Sequence, residues 1–343
     1  MKRKTIERIL NKKFAEWLVS IKDPAVQALV KSRTIITGGS IVSLFNKEAP
    51  KDFDVYFTDK ETTKAVAKYY VNLFNEKHKE KKNKFGHITK ALVLDGADVE
   101  YDENGNFLSC LDLDVQAAYA NQTIKGHMLT NIDKDRIKIF VRSDGVAFAD
   151  GQSPSEVFED VYDVLNAADE LPAKELESDT KPEKKFRPVY LSSNAITLSD
   201  KVQIIVRFYG DASELHENFD FVHCTNYWTS KYGKLTTNIE ALESIIAKNL
   251  VYVGSKYPVC SILRMRKFIE RGWHINAGNM LKVMLQISEL DLHDIAVLED
   301  QLVGVDSAYF MILLDSIRNK LSSDETFEIT NDYLFTIIDR IFG

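Results

Sequence analysis

TIITGGSIVSLFNKEAPKDFDVYF, from Thr34 to Phe57, is the stretch whose reading decides the fold. A short β-branched run ends in Gly38-Gly39-Ser40, and an apolar helical turn follows from Ile41 to Phe45. After Lys51 a second strand carries Asp52 and Asp54. Strands have period two, so Asp52, Asp54 and Tyr56 point to one face, and Phe53, Val55 and Phe57 to the other. Two carboxylates side by side repel unless a divalent cation sits between them. A Gly-Gly-Ser turn at a helix start offers backbone N–H groups and a hydroxyl to a phosphate. Carboxylates for Mg²⁺ beside an amide cradle for phosphate are what metal-assisted nucleotidyl transfer needs.

The run resembles the signature of the polymerase-β-like nucleotidyltransferase superfamily, with Gly-Gly-Ser on a helix start and Asp-x-Asp on the next strand. The two glycines and "KDFD" are most similar to the class II branch of CCA-adding enzymes and bacterial poly(A) polymerases. The resemblance implies that Asp52 and Asp54 bind two Mg²⁺ ions (Mn²⁺ as a substitute), and that Gly38, Gly39 and Ser40, with Lys51, hold the triphosphate of an NTP.

Working outward, the chain of 343 residues is long enough for two or three domains and a substantial core. With 45% hydrophobic and 28% charged residues it reads as soluble and globular. No apolar run approaches the ~20 residues that span a bilayer, so no membrane partner is expected. The N-terminus carries a helical stripe of Ile6, Ile9, Leu10, Phe14, Trp17 and Leu18, which reads as a packed helix rather than a targeting segment. Cys110, Cys224 and Cys260 lack metal-ligand spacing and fit a reducing cytosol, so a cytoplasmic location is expected. The formal net charge of −7 argues against a long nucleic-acid-tracking surface and leaves room for a local basic groove.

Glu61 to Lys77 has helical spacing, and the charged Glu76–Lys84 reads as a solvated helix end or loop. Strand-like runs surround Leu92-Val93-Leu94 and Phe107-Leu108, with a hairpin turn at Asp102–Asn106. Two strands are expected about Ser143-Asp144-Gly145, a capped helix from Ser153 to Leu165, and a linker from Ala168 to Pro188. Further strands are expected over Pro188–Ser199, Lys201–Gly210 and the "FDFVHC" run, and helical spacing dominates from Leu235 onward.

A third catalytic acid is implied by the resemblance. Asp220 is the first candidate, because Phe219 and Phe221 of a strand would turn inward and Asp220 outward. Asp98, Glu100, Asp112 and Asp114 are its rivals, although "LDLDV" also reads as the exposed face of a half-buried strand or as a helix start. The stretch "YPVCSILRMRKFIERGW" (Tyr257–Trp273) resembles a second class II segment, and Arg264 and Lys267 on it are expected near the triphosphate or acceptor. Its Ile262, Met265, Phe268 and Ile269 are expected to pack inward. Tyr227 and Trp228 are read as base-stacking or core residues. The Arg-Arg-Asp and Glu-Asp-x-x-Arg motifs of class II enzymes are absent; "HCTNYW" and "LEDQL" stand in their places.

The expectation is therefore α/β (α+β): a nucleotidyltransferase palm with a mixed sheet over residues 1–233, a long insertion at about 95–188, and a helical C-terminal domain over 234–343. The expected activity moves an NMP from an NTP to an acceptor hydroxyl with release of pyrophosphate. Asp52, Asp54 and Asp220 hold the metals, and a tRNA-like RNA 3′ end is the first acceptor. A protein or small-molecule acceptor is the second reading, and a catalytically silent nucleotide-binding relative the third.

Overall fold

The structure, a computed structural model, describes residues 1–77, 90–121, 124, 129, 132–140, 185–302, 316–318, 320, 321, 323 and 327–342. They fall into two compact units. One holds the described residues up to 140, then 185–216 and 224–241; the other holds 217–223 and those from 242 onward. Of the two strands expected about Ser143-Asp144-Gly145, the first is present over Ile137–Phe140, and the turn and the second strand lie outside the described residues. So do the Ser153–Leu165 helix, most of the Ala168–Pro188 linker and the charged run after Lys77.

The first unit contains strands β1 (Thr34–Thr37), β2 (Phe53–Phe57), β3 (Leu92–Asp95), β4 (Val99–Tyr101), β5 (Phe107–Cys110), β6 (Ile137–Phe140), β7 (Pro188–Leu191), β8 (Ala195–Leu198), β9 (Val202–Ile205), β10 (Tyr227–Thr229) and β11 (Lys234–Thr236). Seven of them form a sheet in the order β11-β10-β1-β2-β9-β8-β7. Every pairing in it is antiparallel except β2 with β9, so the sheet is mixed as expected.

The register explains why this sheet has one wet and one dry face. One row across all seven strands reads Leu191, Ile196, Ile204, Val55, Ile36, Trp228 and Leu235, and every member is buried. The adjacent row, pointing to the other face, reads Tyr190, Thr197, Gln203, Asp54, Thr37, Tyr227 and Thr236. Side chains alternate between faces at every step. Each row keeps to one face across the sheet, so a one-residue slip of β2 would turn Asp54 toward the core.

Helices cover the dry face. α1 (Arg3–Ser20) buries Ile6, Leu10, Phe14 and Trp17 at helical spacing, as expected. The Phe14 ring lies 5.1 Å from that of Trp228, and Trp17 Nε1 donates to the Tyr70 hydroxyl at 2.8 Å. α2 (Pro24–Arg33) starts with Pro24 at its first position, and the Asp23 carboxylate accepts from the Ala25 and Val26 N–H groups. α3 (Gly39–Asn46) and α4 (Lys60–Lys77) complete the layer.

A satellite core joins β3–β6, the β4–β5 hairpin and α5 (Leu113–Ala120) through Leu94, Val99, Val115 and Ile132. The hairpin turns at Asp102–Asn106, as the sequence predicts. "LDLDV" is a helix start: Asp112 caps α5 by accepting from the Asp114 N–H.

The second unit is helical, built on Pro258–Glu270, Ala277–Ser288, Ile295–Leu302 and Asn331–Phe342. Its core gathers Leu298, Ile317, Leu334 and Ile337, with Val259 and Leu263 packed against them. Ile262 and Ile269, expected to face inward, are both 43% exposed. The buried residues of that helix are Pro258, Cys260 and Ser261, while Phe268 packs against His223 and Trp273 as expected. Among the described residues no helix is long and apolar enough to cross a membrane.

Candidate active site

β1 and β2 run antiparallel with Thr37 level with Asp54. The chain leaves β1 at Gly38 with φ +86°, a conformation that favours glycine. A Cβ at Gly38 would stand 3.0 Å from Asp54 Oδ2, so the missing side chain also makes room for the carboxylate. The Gly38 N–H donates to the Cys224 carbonyl at 3.2 Å, which ties the turn to the end of the polypeptide leading into β10.

α3 begins at Gly39, where, among the described residues beyond its own helical turn, no atom lies within 4 Å of the place a Cβ would occupy. The first turn of a helix leaves N–H groups unpaired and carries partial positive charge. The Ser40 side chain is 2% exposed, and its Oγ has no hydrogen-bond partner among the described residues. A buried hydroxyl without a partner costs free energy unless a ligand reaches it. The hydroxyl and the N–H groups of the first helical turn are donors of the kind that bind an anion.

Asp54 is half-buried on β2. Burial, and then the charge of Asp52, push its carboxyl well above the ordinary carboxylate range. Such a pair favours either a shared proton or a bound cation. Lys51 is exposed immediately before it.

Two neutral neighbours flank Asp54 in its row. Thr37 Oγ1 lies 2.9 Å from the Asn226 carbonyl, 3.2 Å from that of Cys224 and 3.0 Å from His216 Nε2. A carbonyl can only accept, so the single Thr37 hydroxyl proton goes to a carbonyl and the imidazole Nε2–H donates to Thr37. His216 is held neutral, since burial lowers its pKa to about 4. On the other side, level with Asp54 on parallel β9, stands Gln203. It is half-buried, and its side chain makes no hydrogen bond among the described residues.

The structure thus gathers Gly38, Gly39, Ser40, Asp52 and Asp54 as the sequence predicts, and adds Thr37, His216 and Gln203, which the sequence reading missed. Thr37 is the last residue of the first strand, and that position was the one available signal. Gln203 depends on which strand pairs with β2, which local sequence does not reveal.

Asp220 does not lie on a strand. "FDFVHC" forms a single bridge between Phe221 and Tyr252 and a 3-10 turn over Val222–Cys224. Asp220 belongs to the second unit, is 7% exposed, and accepts from Arg264 Nε. Arg264 and Lys267 belong to the same unit, on the helix Pro258–Glu270. The rival acids have local tasks: Lys64 pairs with Asp98, Ser109 donates to Glu100, and Lys68 and Lys90 pair with Asp112 and Asp114. Among the described residues no group of three His, Cys, Asp or Glu side chains is placed to hold a metal ion. Trp228 belongs to the core, while Tyr227 lies on the wet face with its ring edge-on to His216 at 5.7 Å.

Residues 8–248, which include this whole constellation in the first unit, match the family described as Gabija anti-defense 2 family protein. The chain belongs to the Gabija anti-defense 2 family. A curated relative, "Gabija anti-defense 2" of Bacillus phage SPbetaL7, is 24% identical over 107 residues, which is 31% of this chain and 27% of that relative. The match therefore spans about a quarter of the relative's length. Among solved structures, the chain is similar to "Thermotoga maritima CCA-adding enzyme complexed with tRNA_CCA", with 11% identity and a TM-score of 0.33 over 92% of this chain and 57% of that one.

Proposed function

We propose that this chain is a metal-dependent nucleotidyltransferase that moves an NMP from an NTP to an acceptor hydroxyl and releases pyrophosphate. The observation that carries the reading is the Asp54 carboxylate lying where a Cβ at Gly38 would stand 3.0 Å from Oδ2, at the head of a helix whose Ser40 hydroxyl is buried and has no partner among the described residues. In this reading Gly39, Ser40 and the first N–H groups of α3 receive the phosphates. Asp52 and Asp54 hold Mg²⁺, which when bound would stabilise charge on the attacking and leaving oxygens. His216 keeps Thr37 in place, which fixes the end of β1 and the Gly38 turn beside Asp54.

The first acceptor we propose is an RNA 3′ end, on the resemblance of the Thr34–Phe57 motif. A protein hydroxyl is the second. It is favoured by the formal net charge of −7 and by a family name that denotes action against a defence system. The test is transfer of label from each α-³²P NTP with Mg²⁺, offered total RNA in one reaction and purified Gabija proteins in another. Label on either acceptor that vanishes with the Asp52→Ala/Asp54→Ala variant is the expected result, and the acceptor decides between the readings. Equal labelling by the variant, or no labelling with either acceptor, would refute it.

A further inference from the structure

We infer that the place beside Asp52 and Asp54 where a third metal-binding carboxylate would stand is held by the neutral amide of Gln203, so that the protein alone binds a divalent cation weakly. The placement follows from backbone register. β9 is the parallel neighbour of β2, with Phe53, Asp54 and Val55 level with Val202, Gln203 and Ile204. Neighbouring strands lie about 4.8 Å apart, and residues level across them project to the same face. Gln203 therefore projects beside the Asp54 carboxylate, and its side chain is half-buried with no hydrogen bond among the described residues.

Among the described residues of the first unit, no acid stands beside Gln203 and Asp54 in their row of the sheet. The other members of the row closest to Asp54 are Thr37 and Thr197. Asp200, at the turn into β9, is 7% exposed, and its carboxylate accepts from the Phe186 N–H. The absence of any three-acid group among the described residues agrees.

Mg²⁺ sheds water reluctantly and is commonly held by one or two carboxylates together with substrate phosphates. Two carboxylates and one amide oxygen form such an incomplete set. The rest must come from a ligand that carries its own negative oxygens, and under the nucleotidyltransferase reading, on which this part rests, that ligand is the triphosphate. The metal then arrives with the nucleotide and does not wait in the site. An amide in place of a carboxylate adds no third acidic group to the empty site, which lowers the repulsion that the triphosphate meets on entry.

The experiment is a Mn²⁺ titration of the full chain followed by EPR of the free ion. It uses wild type, Gln203→Glu, Gln203→Asp and Gln203→Glu/Asp54→Ala, without nucleotide and with α,β-methylene analogues of the four NTPs. Circular dichroism melts identify variants that remain folded, and the two acidic substitutions differ in size so that one packing failure does not end the test. The expected result without nucleotide is weak binding to wild type and binding at least about tenfold tighter to an acidic variant, since added ligand charge raises affinity. That gain should disappear when Asp54 is removed. Tight binding to wild type alone, or folded acidic variants no tighter than wild type, would overturn the inference. If the acidic variants gain the site but no analogue brings Mn²⁺ to wild type, the assignment of Gln203 stands and the nucleotidyltransferase reading falls.

Discussion

Asp54 and Asp220 are both carboxylates drawn away from water, and the molecule treats them in opposite ways. The neighbouring charge that acts on Asp54 is another carboxylate, Asp52, and burial adds to it in pushing the Asp54 carboxyl up. Asp220 accepts from the guanidinium of Arg264, so its counter-ion is part of the fold. One acid faces a second carboxylate and the other faces a cation built into the fold. A carboxylate's value as a ligand is set by what already neutralises it, and motif spacing alone does not contain that information.

The largest effect expected on the Asp54 side comes from Gly38→Ala. The new methyl meets Asp54 Oδ2 at 3.0 Å and the backbone must keep φ +86°. Activity should drop at least about a hundredfold, because a misplacement of about 1 Å at a reacting centre costs that much. The thermal midpoint should fall by only a few degrees. The check is pyrophosphate release beside a melt; an active Gly38→Ala would separate Asp54 from the chemistry.

On the Asp220 side, Arg264→Ala leaves a buried carboxylate without its partner and should cost about 2–3 kcal/mol in urea unfolding, reduced from the value for a fully buried pair because Arg264 is 30% exposed. The double change Asp220→Leu/Arg264→Met should return most of that stability. If the double variant is as unstable as the single, the pair is not a self-contained unit.

His223 sharpens the comparison with pH. It is buried against Phe268 and Trp273, with ring centroids at 4.4 and 4.5 Å, and neither ring nitrogen has a partner among the described residues. Burial lowers its pKa to about 3. A histidine with a lowered folded pKa is protonated first in the unfolded chain, so its contribution to stability is intact above pH ~6.5 and is lost as pH falls toward 3. By pH 4.5 the loss should be about 2–3 kcal/mol. His223→Phe should flatten the curve of unfolding free energy against pH between 6.5 and 4.5. An unchanged slope would place the acid sensitivity elsewhere.

The smallest effect belongs to the turn between β8 and β9. Asp200 and Lys201 both have positive φ, at 62° and 61°, and neither is glycine. Lys201 nevertheless receives the Phe53 N–H at its carbonyl and donates from Nζ to the Pro50 carbonyl, so a strained turn holds the entry to the aspartate strand. Lys201→Gly should stabilise the fold by about 1 kcal/mol through relief of strain, offset in part by chain entropy. The same variant should lose some activity if the Nζ contact orders the run before Asp52. Calorimetry and a rate measurement on one preparation separate the two.

Much of the site was legible in the sequence because its parts are contiguous. The β-branched run, the Gly-Gly-Ser turn and the alternating Asp-Phe-Asp each dictate local backbone, and they lie close enough in the chain to build one corner together. The first helix was legible for the same reason, since Ile6, Leu10, Phe14 and Trp17 repeat at helical spacing. Asp220 was misplaced because period-two alternation was assumed for Phe219–Phe221, while the chain there makes only one bridge and turns. Gln203 was missed because its role depends on a long-range pairing choice. β9 has four residues, and nothing local in Val-Gln-Ile-Ile says which strand it will join.

That pairing also bears on how the protein is made. The parallel partner of β2 is encoded roughly 150 residues after it, and a ribosome adding about 5–20 residues per second delivers it some 7–30 seconds later. Through that interval the strand that carries Asp54, with Asp52 just before it, has β1 on one side and an open edge on the other. The two acids at the head of that edge are the kind of charge that discourages a stray strand from pairing there. The residues that make β2 a candidate metal site thus also guard it while its neighbour is still being synthesised.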